Sequence, residues 1–507
     1  MPVNVPHKEY SENYSSWQRI RTVLDGQDEM KKQADTYVPR PRGFENKPLL
    51  WLEYIKRGEF YNASARTVTG LLGAMFRRSP VVNIPSVYDH WKRSITQDGL
   101  SVEGFCKLTS KELLELGRFG ILVDMPQEGA VGVKARPYLA GYCAEKIINW
   151  QMRSIPDPDN PGEFTILPSL VVLKECICEI DKLDPFKTEE IEQYRALSLG
   201  LDGFYCVDIY RKTDPKDPTS FARFGPTVEP KGPNGQRLTF IPFIFVSPEN
   251  ITCDIERSPI EDLCLVNISH FITAIDLEWS CHLTACPQIV VTGWDDDKKE
   301  LAVGSAVVWT FQSDLVRASI LEYKGEGIAA LERRCAAKED KMAKLGANLL
   351  RAKNKQPETA ETTRIEHSAE SSILSMIAKN SGAAVTKALN WALWWQTGVV
   401  ESATVEQNTE FYDNRLTYQE LSALTASLQA GALPVSAFAF NLLRGDMVPS
   451  GTSQADLEAE IQKSLKAAAP PAPMPSNPGG NLPGLPPKAK QPLDPLPSKE
   501  DPGMPAP

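Results

Sequence analysis

The sequence lacks the short signatures of the familiar catalytic centres. It has no G-x-x-x-x-G-K-[ST] run to cradle a nucleotide's phosphates, no G-x-G-x-x-G turn, no H-E-x-x-H pair and no G-x-S-x-G elbow. An enzyme of unfamiliar type would need carboxylates or cysteines that only folding brings together. Histidine is scarce: His7, His90, His270, His282 and His367 are dispersed, and none is assigned a ligand role. Ten cysteines run from Cys106 to Cys335 without one C-x-x-C pair, so buried free thiols are expected rather than a metal or redox site. Cys176 and Cys178 alternate within a strand-like run, 170–180, and so share a face. No run approaches the roughly 20 apolar residues of a membrane helix. The polar, proline-containing residues 1–10 lack the apolar core of a signal peptide, and a soluble chain with a cytoplasmic life is expected.

What is present is bulk and a local reversal of charge. A chain of 507 residues with 42% hydrophobic content buries several cores, and two to four subdomains are expected. A net charge of −10 argues against tight grip on nucleic acid over the whole surface. Between Lys324 and Lys355, however, nine basic residues stand against four acids, a local +5. Residues 470–507 hold 14 of the 40 prolines, a density that builds no packed core, so an extended or disordered tail is expected there.

Hydrophobic spacing organises the rest. Residues 49–78 read as helical up to Ser79 and Pro80. A helix ending near 113–118 runs into a strand at 120–124, and further strands are expected at 169–180, 204–212 and 240–246. From Pro259 a helical spacing carries Ile260, Cys264, Ile268, Phe271, Ile272, Ile275, Trp279 and Leu283. The period then drops to two at 288–292, 306–311 and 319–323, with glycine and aspartate turns between. After Gly327 a second helix follows, with a narrow stripe of Ile328, Leu331, Cys335, Met342, Leu345 and Leu349. Lys338 occupies one seam position of that stripe that should be apolar. A basic loop and a long helix complete the run.

Four segments together resemble the portal proteins of tailed bacteriophages: residues 258–293 (SPIEDLCLVNISHFITAIDLEWSCHLTACPQIVVTG), 54–80 (YIKRGEFYNASARTVTGLLGAMFRRSP), 137–150 (PYLAGYCAEKIINW) and 416–449. The second is similar to a portal branch often labelled only as a domain of unknown function. The resemblance spans about 45–450 and implies an α+β, portal-like fold. It divides the chain into an N-terminal arm (1–45), a mixed α/β wing (46–257), a two-helix stem (258–285 and 324–350) and a small α/β clip (286–323). A tunnel loop (351–364), a long wing-spanning helix (365–400), a helical crown (401–467) and the proline-rich tail (468–507) follow. It further implies a dodecameric ring at one capsid vertex of the virion, through which double-stranded DNA is packaged and ejected without regard to sequence. Terminase large subunit, a head–tail adaptor and the major capsid or scaffolding protein are the implied partners. No cofactor, metal or catalytic residue is implied.

Within that frame Lys338, Lys341, Lys344, Arg351, Lys353 and Lys355 are the candidate DNA-channel residues, forming a basic collar when repeated around a ring. The competing reading is a solvated helix face with pairs such as Asp340 to Lys344. Trp294, Trp309 and Phe311 are candidates for contact with a clip partner or a neighbouring subunit, or for the clip's own core. Trp391, Trp394 and Trp395 are expected in packing rather than base stacking, since no basic residues interleave them. Asp295, Asp296 and Asp297 read as a solvated loop rather than a cation site. The alternatives are a head-associated adaptor or scaffold without its own pore, and an unrecognised nucleic-acid enzyme.

Overall fold

The N-terminal segment, expected only as an arm, folds into a helix, α1 (Lys8–Asp25), because Trp17, Ile20 and Val23 fall on one side and are buried. His7 caps it, its Nδ1 accepting from the Glu9 amide at 3.3 Å. Two short helices, α2 (Gln27–Lys32) and α3 (Ala34–Tyr37), lead to α4 (Pro48–Arg57) and α5 (Ala63–Met75). The sequence reading runs these last two together. The break arises because a Cβ on Gly58 would lie 2.2 Å from Ile275 Cγ1, and because Asn62 caps the new helix by accepting from the Ala65 amide at 3.0 Å.

This computed structural model describes residues 3–468 apart from 127–135, 157–161, 181–183, 185, 215, 218–219, 286–287, 294–307, 311–314, 322–325, 348–359, 400–401, 410, 412–417, 445–446 and 449–451. Half of the expected strand at 306–311, most of the basic loop and nearly all of the proline-rich tail lie outside the described residues, and the described half, 308–310, is not strand.

Beyond β1 (Val81–Asn83), helix α6 (Val102–Leu116) starts at a Ser101 cap and stops at Gly117, whose φ of 73° is the left-handed conformation that glycine supplies. The chain then enters β2 (Phe119–Asp124), whose first five residues are buried. There follow β3 (Tyr138–Cys143), β4 (Ile147–Pro156), β5 (Phe164–Ile180), β6 (Thr188–Leu199), β7 (Tyr205–Lys212), β8 (Phe221–Arg223) and β9 (Phe243–Val246). They make two antiparallel sheets, ordered β3-β2-β9 and β4-β5-β6-β7-β8. Next come α7 (Glu261–Thr284), the hairpin β10 (Gln288–Thr292) and β11 (Arg317–Leu321), α8 (Glu326–Met342) and α9 (Ala360–Thr397). The strand β12 (Thr404–Glu406) returns to pair with β1. These elements form one compact unit, residues 1–412. A second unit, 413–507, contains α10 (Tyr418–Gln429), α11 (Val435–Arg444) and α12 (Gln454–Ala468). Helix at 47% and strand at 22%, largely in separate stretches, make the fold α+β.

One apolar core runs through α1, α4, α5, α6, both large sheets, α7 and α9. Trp391 and Trp395 are buried in it, with Phe240 5.2 Å from Trp391 and the Trp395 Nε1 donating to the Lys231 carbonyl at 2.8 Å. The tryptophan cluster of α9 is therefore packing. Buried thiols are expected from the sequence, but among the described cysteines only Cys106, Cys264 and Cys335 are buried; Cys143, Cys206, Cys253 and Cys281 are half-buried, and Cys176 and Cys178 are exposed because their strand extends past the core with β6 as its neighbour.

Two buried polar groups are accommodated in different ways. Asn267, fully buried in mid-α7, holds the start of α5: its Oδ1 accepts from the Ser64 amide at 3.1 Å and hydroxyl at 2.9 Å, and its Nδ2 donates to the Tyr61 carbonyl at 2.8 Å. Arg118 is 1% exposed, with its guanidinium carbon 3.9 Å from the Trp150 ring centre and 5.0 Å from that of Phe245. None of its nitrogens has a hydrogen-bond partner among the described residues, and burial pushes its pKa down to about 10. We predict that Asn267→Leu lowers unfolding stability by about 3 kcal/mol, since it strands buried donors and acceptors. Arg118→Met is predicted to be neutral or to stabilise by about 1 kcal/mol, as removal of an unpaired buried charge does. Chemical denaturation of the two variants, read for opposite signs, checks both.

Candidate functional site

The segment with the strongest sequence pattern becomes a helix, a hairpin and a second helix that comes back alongside the first. In the hairpin, Gln288 stands opposite Leu321 and Thr292 opposite Arg317. Gly293, at φ 81°, ends the first strand where a Cβ would meet the Leu315 carbonyl at 2.6 Å. α8 continues into one π-helical turn (Ala343–Ala347). A Cβ on Gly346 in that turn would meet Leu263 Cδ2 at 3.3 Å and Thr67 Cγ2 at 2.9 Å, so the end of α8 reaches the first turn of α7 and the pair is antiparallel.

The seam between the helices is polar at its middle. Cys335 and Met342 are buried, and Met342 packs with Leu263 and Ala63. Between them Lys338 donates to the Ser269 carbonyl at 2.7 Å and to Thr273 Oγ1 at 2.5 Å. His270, buried, meets Glu339 Oε1 through Nε2 at 3.1 Å. Burial, with the charge of Arg334 nearby, holds the Lys338 ammonium below the usual lysine range. The lysine in the apolar seam is thereby explained: α7 offers it a carbonyl and a hydroxyl there.

Among the other candidate channel residues, Lys341 and Lys344 are exposed, on the side of α8 away from that seam. Lys338, grouped with them on sequence, points into the helix pair instead, because its partners lie on α7. Arg351, Lys353 and Lys355 lie outside the described residues, as do Trp294 and Phe311, while Trp309 is half-buried. The Asp295 to Asp297 run lies outside them too.

Further contacts anchor α7 to the N-terminal half, and sequence spacing gave no signal for them. Glu261 accepts from Ser16 Oγ at 2.6 Å, from Arg19 at 2.9 Å and from Arg257 at 2.6 Å. Burial raises the Glu261 carboxyl, but the Ser16 and Arg257 hydrogen bonds outweigh it and leave it below the ordinary carboxylate range. Two turns beyond Asn267, the Tyr54 hydroxyl donates to Asp276 at 2.5 Å. Trp279 sits among Phe44, Tyr54 and Arg57.

Two other places invite a chemical reading. Glu112, Cys143 and Glu145 present ligand atoms within 4.8 Å of one another, a metal-like grouping. The Arg21 guanidinium is already among them: its Nε donates to Glu145 at 2.8 Å, and its other nitrogens donate to Glu112 and Glu115. Burial and the Glu145 charge push the Cys143 thiol up to about 12, so it stays protonated. A cavity of about 840 Å³ is lined by Asp124, Tyr138, Arg195 and Trp395, among others. Arg195 pairs with Asp124 at 2.9 Å and Glu175 at 2.9 Å, and Tyr138 donates to Asp124 at 2.9 Å. Those charges satisfy one another, and no nucleophile–base pair stands among the residues lining the cavity. No helix among the described residues is long and apolar enough to cross a membrane.

Residues 259–396, the span from α7 to the end of α9, match a family described as a domain of unknown function, DUF4055. No curated protein matches the chain. Among solved structures, the neck of an empty gene transfer agent (GTA) particle computed with C6 symmetry is similar at 14% identity, covering 73% of this chain and 86% of that one, with a TM-score of 0.37. A neck of the native particle computed with C12 symmetry is similar at 12% identity, covering 83% and 99%, with a TM-score of 0.31.

Proposed function

We propose that the chain is a structural component of a phage-type head–tail connector, specifically the portal: a ring of about a dozen copies that lines a DNA channel at one capsid vertex. The observation that carries this reading is the antiparallel pair α7–α8, closed at one end by a small hairpin and followed by the long helix α9. In a ring such a unit would present one helix face to a neighbour while another stays free. The sequence resemblance to portal proteins over the same elements supports it.

In this reading the helix pair is the stem, the hairpin region is the clip that meets terminase large subunit and later the head–tail adaptor, and α10 to α12 belong to the crown. Lys341, Lys344, Arg351, Lys353 and Lys355 contribute to the channel's charge, and Lys338 acts as a strut within the stem. The contact with double-stranded DNA is to phosphate and so is blind to sequence. The chemistry of packaging, ATP hydrolysis included, resides on another chain. The protein works in the virion and contributes no catalytic residue of its own.

Mass photometry with electron microscopy of the purified chain is expected to show closed rings with a central hole; a uniform monomer at all salt and protein concentrations would remove the portal reading in favour of an adaptor. The double substitution Lys353→Glu, Lys355→Glu is predicted to leave rings intact and reduce packaged genome. Packaging at the unmodified yield by that variant, in a phage complemented with it, takes both lysines out of the channel.

A further inference from the structure

One face of the β5–β6 pair carries a set of metal-binding side chains that the channel reading leaves unused. In its register Cys176 stands opposite Glu192 and Cys178 opposite Glu190. Directly opposed residues of an antiparallel pair project to the same side, as do residues two apart on a strand. Two thiols and two carboxylates therefore share one face. Both thiols are exposed.

One pair of these groups already stands at the spacing of two ligands of a single ion. Cys176 Sγ lies 3.9 Å from Glu190 Oε2. With Zn–S about 2.3 Å and Zn–O about 2.0 Å, an ion between those atoms subtends an angle of about 130°, which a small side-chain rotation brings toward tetrahedral. Residues two apart on a strand have Cα atoms about 6.6 Å apart, so the Cys178 thiol reaches the same ion by turning toward Cys176. Glu192 is held by Lys174 at 2.8 Å and by the Tyr194 hydroxyl at 3.0 Å, which leaves the fourth position to water.

We propose that Cys176, Cys178 and Glu190 form a surface site for a thiophilic divalent cation of the zinc class. The ligand chemistry separates it from the buried Glu112, Cys143 and Glu145 grouping, where Arg21 already supplies the positive charge. Pairing of the two strands ends at Ile180 opposite Thr188, where the chain passes from β5 to β6, so an ion here staples the hairpin near its turn. Both thiols must lose a proton to bind, so affinity falls as pH is lowered.

The test is titration of the reduced, metal-stripped full chain with cadmium, following the ultraviolet thiolate-to-metal charge-transfer band, with zinc measured by competition against a chromophoric chelator. A saturable band at a single equivalent per chain is expected. It should vanish in the double variant Cys176→Ser, Cys178→Ser, weaken by about tenfold or more in Glu190→Gln and persist unchanged in Cys143→Ser. The substituted hairpin residues are exposed or cross-strand, and circular dichroism of each variant checks that the fold is retained. No saturable band in the starting protein, the same band in the double serine variant, or undiminished affinity in Glu190→Gln overturns the assignment.

Discussion

The polar grip on α7 is the constraint on which the rest of the molecule depends. A helix held only by leucine and isoleucine slides and rotates at little cost, because apolar contact has no direction. α7 is held by groups that do have direction: Glu261 at its first turn, Asn267 buried at its middle, and Asp276 beyond. Each buried group left without its partner costs about 1–3 kcal/mol, so one rotation and one axial position satisfy all three together. Gly58 adds a steric limit, since only a residue without a side chain lets α4 and α5 meet over Ile275.

That placement is passed on to α8. Lys338 binds a carbonyl and a hydroxyl of α7 inside an otherwise apolar seam, so it sets the register of the second helix against the first. It also decides which residues remain outside: with Cys335, Lys338 and Met342 turned inward, the exposed face of α8 and its last turn carries Lys341 and Lys344. A seam of leucine would hold the pair as well but would not select that face as sharply.

Legibility in the sequence follows the same division between periodic and directional information. Apolar spacing located α7, α8, α9 and the strands β2, β5 and β7, because each has a repeating buried stripe, and it located β10 by alternation alone, since its described residues are exposed or half-buried. It missed β6, whose first half alternates glutamates with little apolar content, since that stretch lies beyond the core. It missed α1 as well, where three buried apolar residues in a largely polar stretch suffice because Arg21 adds ion pairs to Glu112, Glu115 and Glu145. Partnerships such as Ser16 with Glu261, separated by most of the unit, leave no trace in spacing. The basic candidates were visible as charge and Lys338 as the odd residue of an apolar seam, yet only geometry shows the carbonyl and hydroxyl of α7 that hold it there while Lys341 faces solvent.

The proposed channel explains why a net negative chain keeps its positive charge where it does. Around such a ring the local excess between Lys324 and Lys355 would be multiplied by the number of copies. A collar of exposed ammonium groups attracts phosphates by a screened, non-directional force, which weakens with salt and lets the polymer slide. Bidentate arginine contacts or stacked aromatics would instead create discrete wells for each nucleotide. The tryptophans of α9 are spent in the core, and the exposed cations of α8 nearest the basic loop are lysines. Both choices suit a surface that must pass a polyanion rather than hold it.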